Sequence, residues 1–291
     1  MTYKTTPIKR SRRTKAEMDA LREAMYEIAR EDHPVTVRQV FYRMVSAGLV
    51  DKRESEYKNT VARLLTEMRK DGELPYRWIA DNTRWVRVPT TYSSLGAALR
   101  ATAEAYRRSL WATLPERVEV WCEKEALAGV LVEETRALQV PLYVVRGYAS
   151  LSYLWEAAQE TKAVGKPTRI YYFGDHDPSG LDIERVVRER LQEFAPDVDL
   201  TVTRVAVTPE QIQGWGLPTR PTKRKDSRAK GFKGGSVELD AIPPRQLRAL
   251  TRGCIEDHVD PWELDALKRT EEEERTVLAS VADVYGREAW E

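Results

Sequence analysis

At 291 residues, with 42% hydrophobic and 32% charged side chains, the chain is long enough for two folded domains and too balanced in composition for a disordered or fibrous protein. Its 47 Lys plus Arg stand against 46 Asp plus Glu, and a net charge of +1 exerts no overall pull on nucleic acid, so local clusters must carry any such affinity. Cys122 and Cys254 lack CxxC partners, three histidines do not make a zinc framework, and no apolar run approaches the roughly 20 residues that span a bilayer, so a reducing cytoplasm and no membrane partner are expected.

Met18, Leu21, Met25 and Ile28 recur at helical spacing between Thr14 and Asp32, and the pattern stops before Pro34, which predicts a first helix. Thr36 is placed to cap a second helix running toward Gly48, with Val37, Val40, Phe41 and Met44 on one face. A third, from about Glu54 to Lys70, turns Tyr57, Val61, Leu64, Leu65 and Met68 inward and Lys58, Asn59, Arg63 and Arg69 toward solvent, and Asp71-Gly72 ends it. Trp78-Ile79, the turn Asp81-Asn82-Thr83 and the run Trp85 to Val88 read as a short hairpin. Three helices and a hairpin describe a winged helix-turn-helix domain over residues 1–92, able to place a helix in the major groove of double-stranded DNA. Lys58, Asn59, Arg63 and Arg69 are then candidate DNA contacts, or simply a solvated face.

Ser93 to Trp111 reads as a connecting helix within a linker over 93–115. Beyond Pro115, strands at 118–122, 142–145 and 169–173 alternate with helices at 125–138, 151–163 and 181–194. This predicts an α/β domain over 116–291, with a parallel sheet covered by helices on both faces. Residues 202–207 add a strand, and 247–258 and 263–284 form a helical extension. Between them, 213–235 is a Gly- and Pro-rich loop crowded with Lys223, Arg224, Lys225, Arg228, Lys230 and Lys233. That run, like the N-terminal Lys4, Lys9, Arg10, Arg12, Arg13 and Lys15, either tracks phosphates or is solvated.

Ligands of an open parallel sheet bind at the carboxyl ends of its strands. Two such ends are acidic here: Trp121-Cys122-Glu123-Lys124, and Gly174-Asp175-His176-Asp177-Pro178-Ser179-Gly180. Two carboxylates about 4 Å apart repel by roughly 4 kcal/mol at an effective dielectric of about 20, and a divalent cation removes that cost. Oxygen ligands favour magnesium, with manganese also accepted, and such an ion stabilises charge on a phosphate under attack. The bland alternative is a turn whose Asp177 or Ser179 caps the next helix, with His176 facing solvent. In Ser236-Val237-Glu238-Leu239-Asp240 the alternation suggests a strand with Glu238 and Asp240 solvated, although either acid could join the site.

A strand ending in Glu123, a unit containing Gly147-Tyr148, and a strand ending in Asp175-His176-Asp177-Pro178-Ser179-Gly180 together resemble the Toprim domain of topoisomerases, primases and related nucleases. The Glu-Lys pair and the DPxG continuation are most similar to the A subunit of topoisomerase VI and its relative, the meiotic double-strand-break transesterase. Arg38-Gln39-Val40-Phe41-Tyr42 is similar to that family's Arg-x-x-(aromatic)-Tyr motif, and the order of the two domains agrees. The resemblance covers the second and third helices and most of residues 116–207.

The resemblance implies magnesium on Glu123, Asp175 and Asp177, and Tyr42 as a nucleophile that forms a phosphotyrosyl bond with DNA. Glu123 could instead shuttle a proton. Tyr42 lies away from the stripe of Val37, Val40, Phe41 and Met44 and is expected outside the core, with Arg38 four residues earlier on its face to favour a phenolate or bind the phosphate. A homodimer, a nucleoid location, and a separate ATPase subunit for strand passage are further implications. A hydrolytic Toprim nuclease, with Tyr42 only packing or touching DNA, and a non-enzymatic winged-helix regulator remain the alternatives.

Overall fold

The computed structural model describes residues 13–80, 89–221, 232 and 234–287. They fall into two compact units, one from residues 1–80 with 240–244 and the other from 81–239 with 245–291. The N-terminal basic residues up to Arg12, the 81–88 half of the expected hairpin, and Lys223, Arg224, Lys225, Arg228, Lys230 and Lys233 lie outside the described residues.

In the first unit, Thr14 and Glu17 form a capping box that starts helix α1 (Lys15–Asp32), which buries Leu21, Met25, Ile28 and Ala29. A second box, Thr36 with Gln39, starts α2 (Val37–Ser46). The expected third helix is one helical run in three parts: α3 (Glu54–Glu56), a π turn (Tyr57–Ala62) and α4 (Arg63–Lys70). The wide turn slips the register while keeping Val61, Leu64, Leu65 and Met68 in the core. Gly72, at φ +77°, lets the chain leave α4. Residues Tyr76–Trp78 form a 3₁₀ turn where extended chain is expected at Trp78. The cause is packing: the Trp78 ring stacks on His33 with centroids 4.8 Å apart, and Ile79 then pairs with Val35 in a single parallel bridge.

The second unit is α/β. Strands β1 (Arg117–Cys122), β2 (Leu142–Val144), β3 (Thr168–Phe173) and β4 (Leu200–Ala206) form a parallel sheet in the order β2-β1-β3-β4. Helices α6 (Glu125–Ala137), α7 (Leu151–Val164) and α8 (Pro178–Phe194) make the crossovers. Parallel strands covered by helices are largely apolar: β1 buries Val118, Val120, Trp121 and Cys122, with the buried Glu119 accepting from Arg117 and the Trp121 indole, and Trp121, Ile170 and Tyr172 meet Leu154, Ala158, Ile183, Val187 and Leu191. The register holds Cys122 opposite Phe173, so β1 and β3 end side by side. Between β3 and β4 it shifts after Tyr172.

The expected connecting helix is shorter than its apolar pattern. Ser94 caps α5 (Leu95–Ala105), and the chain turns extended at Tyr106. There Tyr106 donates its hydroxyl to Glu274 at 2.6 Å, and the Arg108 N–H reaches Glu271 at 2.9 Å, both on α11 (Pro261–Arg287), against which α5 packs. Short α9 (Pro209–Gly214) occupies the start of the expected 213–235 loop, and α10 (Pro244–Glu256) precedes α11. Among the described residues no helix is long and apolar enough to cross a membrane.

Candidate acidic site at the carboxyl edge of the sheet

Because β1 and β3 end in register, the residues after them are neighbours. The Glu123 N–H donates to the Phe173 carbonyl at 2.8 Å, and the Asp175 N–H donates to Glu123 Oε2 at 3.0 Å. Both acids are buried, at 9% and 8% exposure. Gly174 between the strand and Asp175 leaves room for this, since a Cβ there would sit 2.7 Å from Glu123 Oε2. Asp177 caps α8 by accepting the Gly180 N–H at 2.8 Å, and Pro178 begins the helix. A Cβ on Gly180 would lie 2.3 Å from the Asp175 carbonyl oxygen, so only glycine permits this loop to lie against its helix. Capping and site roles are therefore compatible for Asp177, one oxygen serving the helix.

Burial, followed by the charge of Asp175, pushes the Glu123 carboxyl up to about 7; Asp177 adds to this, and the Asp175 N–H and Lys124 oppose it. Lys124 Nζ lies 3.0 Å from Asp175 Oδ1 and 3.4 Å from Glu238 Oε2. Arg220 lies 2.7 Å from Glu238 Oε1 and 3.6 Å from Asp177 Oδ2. Asp175 Oδ1 also accepts the Leu239 N–H at 2.7 Å. Glu238 is thus a fourth carboxylate of this edge, not a solvated strand residue. The expected strand is a pair of isolated bridges, His176 with Val237 and Ser236 with Arg220, followed by a 3₁₀ turn (Leu239–Ala241) in which Asp240 is buried. His176 does not face solvent: it is half-buried, its ring lies 5.3 Å from that of Phe232, and burial followed by the Arg204 charge lowers its basicity.

Arg204, from β4, braces the acidic loop from below. It donates to the carbonyls of Gly174 at 3.0 Å, Asp175 at 3.1 Å and Gly180 at 3.1 Å, and its Nε donates to Glu184 at 2.6 Å. Sequence reasoning misses Arg204 and Arg220 because nothing local marks them. Lys124 was visible beside Glu123, without a role.

The donor set suits a hard divalent cation: the side chains are carboxylates with no thiolate, and burial together with the Asp175 charge already drives Glu123 toward its neutral form. Among the described residues no group of three or more His, Cys, Asp or Glu stands in a ready metal-ligating arrangement, and Lys124 and Arg220 lie on the aspartates.

In the first unit Tyr42 is buried, at 3% exposure, which corrects the expectation that it lies outside the core. The segment after α2 covers it: Lys52 Nζ lies 5.2 Å from its ring centroid, and Phe41 packs at 5.4 Å. A helix of ten residues can be covered on more than its apolar stripe. Arg38 pairs with Glu54 at 3.2 Å and lies 3.9 Å over the Tyr57 ring. Lys58, Asn59 and Arg63 are exposed as expected, with Lys58 near Glu54 at 3.7 Å and Arg63 on Glu67 at 2.7 Å. Arg69 is half-buried and donates to the Leu65 carbonyl at 3.1 Å. No protein-family model matches this chain, and no curated protein matches it.

Proposed function

We propose that this chain cleaves DNA phosphodiesters with magnesium or manganese held by Glu123, Asp175 and Asp177, its second unit being a Toprim-type domain related to the topoisomerase VI A subunit. The first unit is then a winged helix-turn-helix that binds the duplex, with Lys58, Asn59, Arg63 and Arg69 as contacts. The observation that carries this reading is the junction of Glu123 with Asp175, two buried acids from separate strands joined at 3.0 Å. Burial, and then the charge of Asp175, raise Glu123 to about 7, a cost that a bound cation relieves. Magnesium there supplies Lewis-acid stabilisation of a phosphate under attack and of its leaving oxygen. In the alternative to metal ligation, Glu123 accepts a proton from the attacking hydroxyl or returns one to the leaving oxygen. Asp177 fixes the start of α8, and Arg204 fixes the backbone on which Asp175 stands.

Two routes fit this site. In transesterification Tyr42 attacks, which requires its ring to be uncovered and, by the family resemblance, the site of a second copy in a homodimer; strand passage would further require an ATPase partner. In hydrolysis water attacks and Tyr42 is a packing residue. The burial of Tyr42 favours hydrolysis in this conformation.

The test incubates the protein with labelled supercoiled DNA and magnesium, denatures it rapidly, and assays both cleavage and label bound to protein. Cleavage lost in Asp175→Ala and retained in Tyr42→Phe, with no covalent label, establishes hydrolysis. Label that disappears in Tyr42→Phe establishes the transesterase. Cleavage indifferent to Glu123→Ala and Asp175→Ala removes the enzyme and leaves a DNA-binding protein.

A further inference from the structure

Resting on that reading of the acidic edge, we propose that Lys124 and Arg220 are a phosphate-gripping pair, held at the rim by Glu238 and freed from the two aspartates toward the DNA backbone when a divalent cation is bound. Glu238 takes one cation on each oxygen, Arg220 at 2.7 Å on Oε1 and Lys124 at 3.4 Å on Oε2. Each cation also touches a different aspartate of the site, Lys124 the Oδ1 of Asp175 and Arg220 the Oδ2 of Asp177. These contacts bridge three segments far apart in sequence, at 123–124, 175–177 and 220–238, all within the second unit.

Glu238 gives both cations a second carboxylate, one that stays in place when an aspartate is taken by a metal. Asp177 Oδ1 is committed to the Gly180 N–H, so its Oδ2, the oxygen facing Arg220, is the one left to serve a metal. A metal on that oxygen displaces Arg220, and one on Asp175 Oδ1 displaces Lys124. Glu238 keeps both at the rim, and the Arg220 side chain, 40% exposed, already reaches solvent. An ammonium and a guanidinium fork side by side match the non-bridging oxygens of a phosphodiester.

The experiment uses the full chain and two titrations: manganese by calorimetry, and a short labelled DNA duplex by fluorescence anisotropy over a salt series, in calcium and in EDTA. Lys124→Met and, at the more exposed position, Arg220→Gln are expected to tighten manganese binding about fivefold by removing a competitor. In calcium each is expected to reduce the slope of log affinity against log salt by about 1, the signature of one lost phosphate contact, and in EDTA to match the parent. Glu238→Gln, which unseats the pair without removing it, is expected to weaken duplex binding in calcium alone. Parental slopes and parental manganese affinity in both cation variants would overturn the proposal while leaving the metal site standing. A parent whose manganese binding is absent, or is unchanged by Asp175→Ala, would overturn the underlying reading as well.

Discussion

The backbone N–H of Asp175 donates to the side chain of Glu123 at 3.0 Å, so the loop after one strand is hydrogen-bonded to the acid that ends its neighbour. Two negative groups are thereby held together by a neutral donor, and the chemistry proposed for this edge follows from what that enforced closeness costs.

The first consequence concerns stability without metal. The folded-state value of Glu123, about 7, stands above the ordinary 4.5, so the fold retains a proton that the unfolded chain has released. Stability from this group is complete below the ordinary value and is lost as pH rises through about 7, on the order of 3 kcal/mol in all. Glu123→Gln keeps an acceptor for the Asp175 N–H and removes the charge. Urea unfolding in EDTA should show the variant more stable than the parent at pH 8 and equal to it at pH 4; a loss at pH 8 would contradict the repulsion.

Asp177 caps α8, and the proposed function adds a metal-ligand role for its other oxygen; two substitutions separate the two. Asp177→Ala should cost about 1 kcal/mol in thermal unfolding through the lost cap, whereas Asp177→Asn should remain within about 0.5 kcal/mol of the parent. Both should lower magnesium-dependent cleavage by at least about 100-fold, the upper end of what outer-shell losses cost. Activity retained in the Asn variant would reduce Asp177 to its capping role.

Gly180→Ala places a methyl 2.3 Å from the Asp175 carbonyl oxygen, against backbone that cannot swing aside as a side chain would. Destabilisation of about 1–3 kcal/mol is expected in chemical denaturation, together with loss of cleavage. A variant with parental stability would show that the loop is not seated on α8 as described.

At Tyr42, burial sets the prediction. Tyr42→Ala should cost about 3 kcal/mol in the unfolding free energy, while Tyr42→Phe, which preserves the ring between Phe41 and Lys52, should cost about 1 kcal/mol at most. Equal and negligible effects would place the ring in solvent.

What the sequence announces is what neighbours in the chain decide. Thr14 with Glu17, Thr36 with Gln39, and Ser94 begin helices through contacts three residues away, and apolar runs such as 120–122 mark buried parallel strands. Glu123, Asp175 and Asp177 are legible because strand ends in a parallel sheet share an edge. The rest depends on distant partners. The helix α5 stops at Ala105 because Tyr106 finds Glu274, Tyr42 is covered because the chain at Lys52 folds back, and Glu238 enters the site through Lys124 and Arg220. No periodicity encodes such meetings.

Arg204 gives the acidic loop a foundation outside its own sequence. Three carbonyls of the loop and helix start rest on one guanidinium rooted in the rim strand β4, itself anchored by Glu184. The loop borrows its stiffness from the sheet, so Asp175 and Asp177 can exchange partners by side-chain rotation above a main chain pinned through its carbonyls.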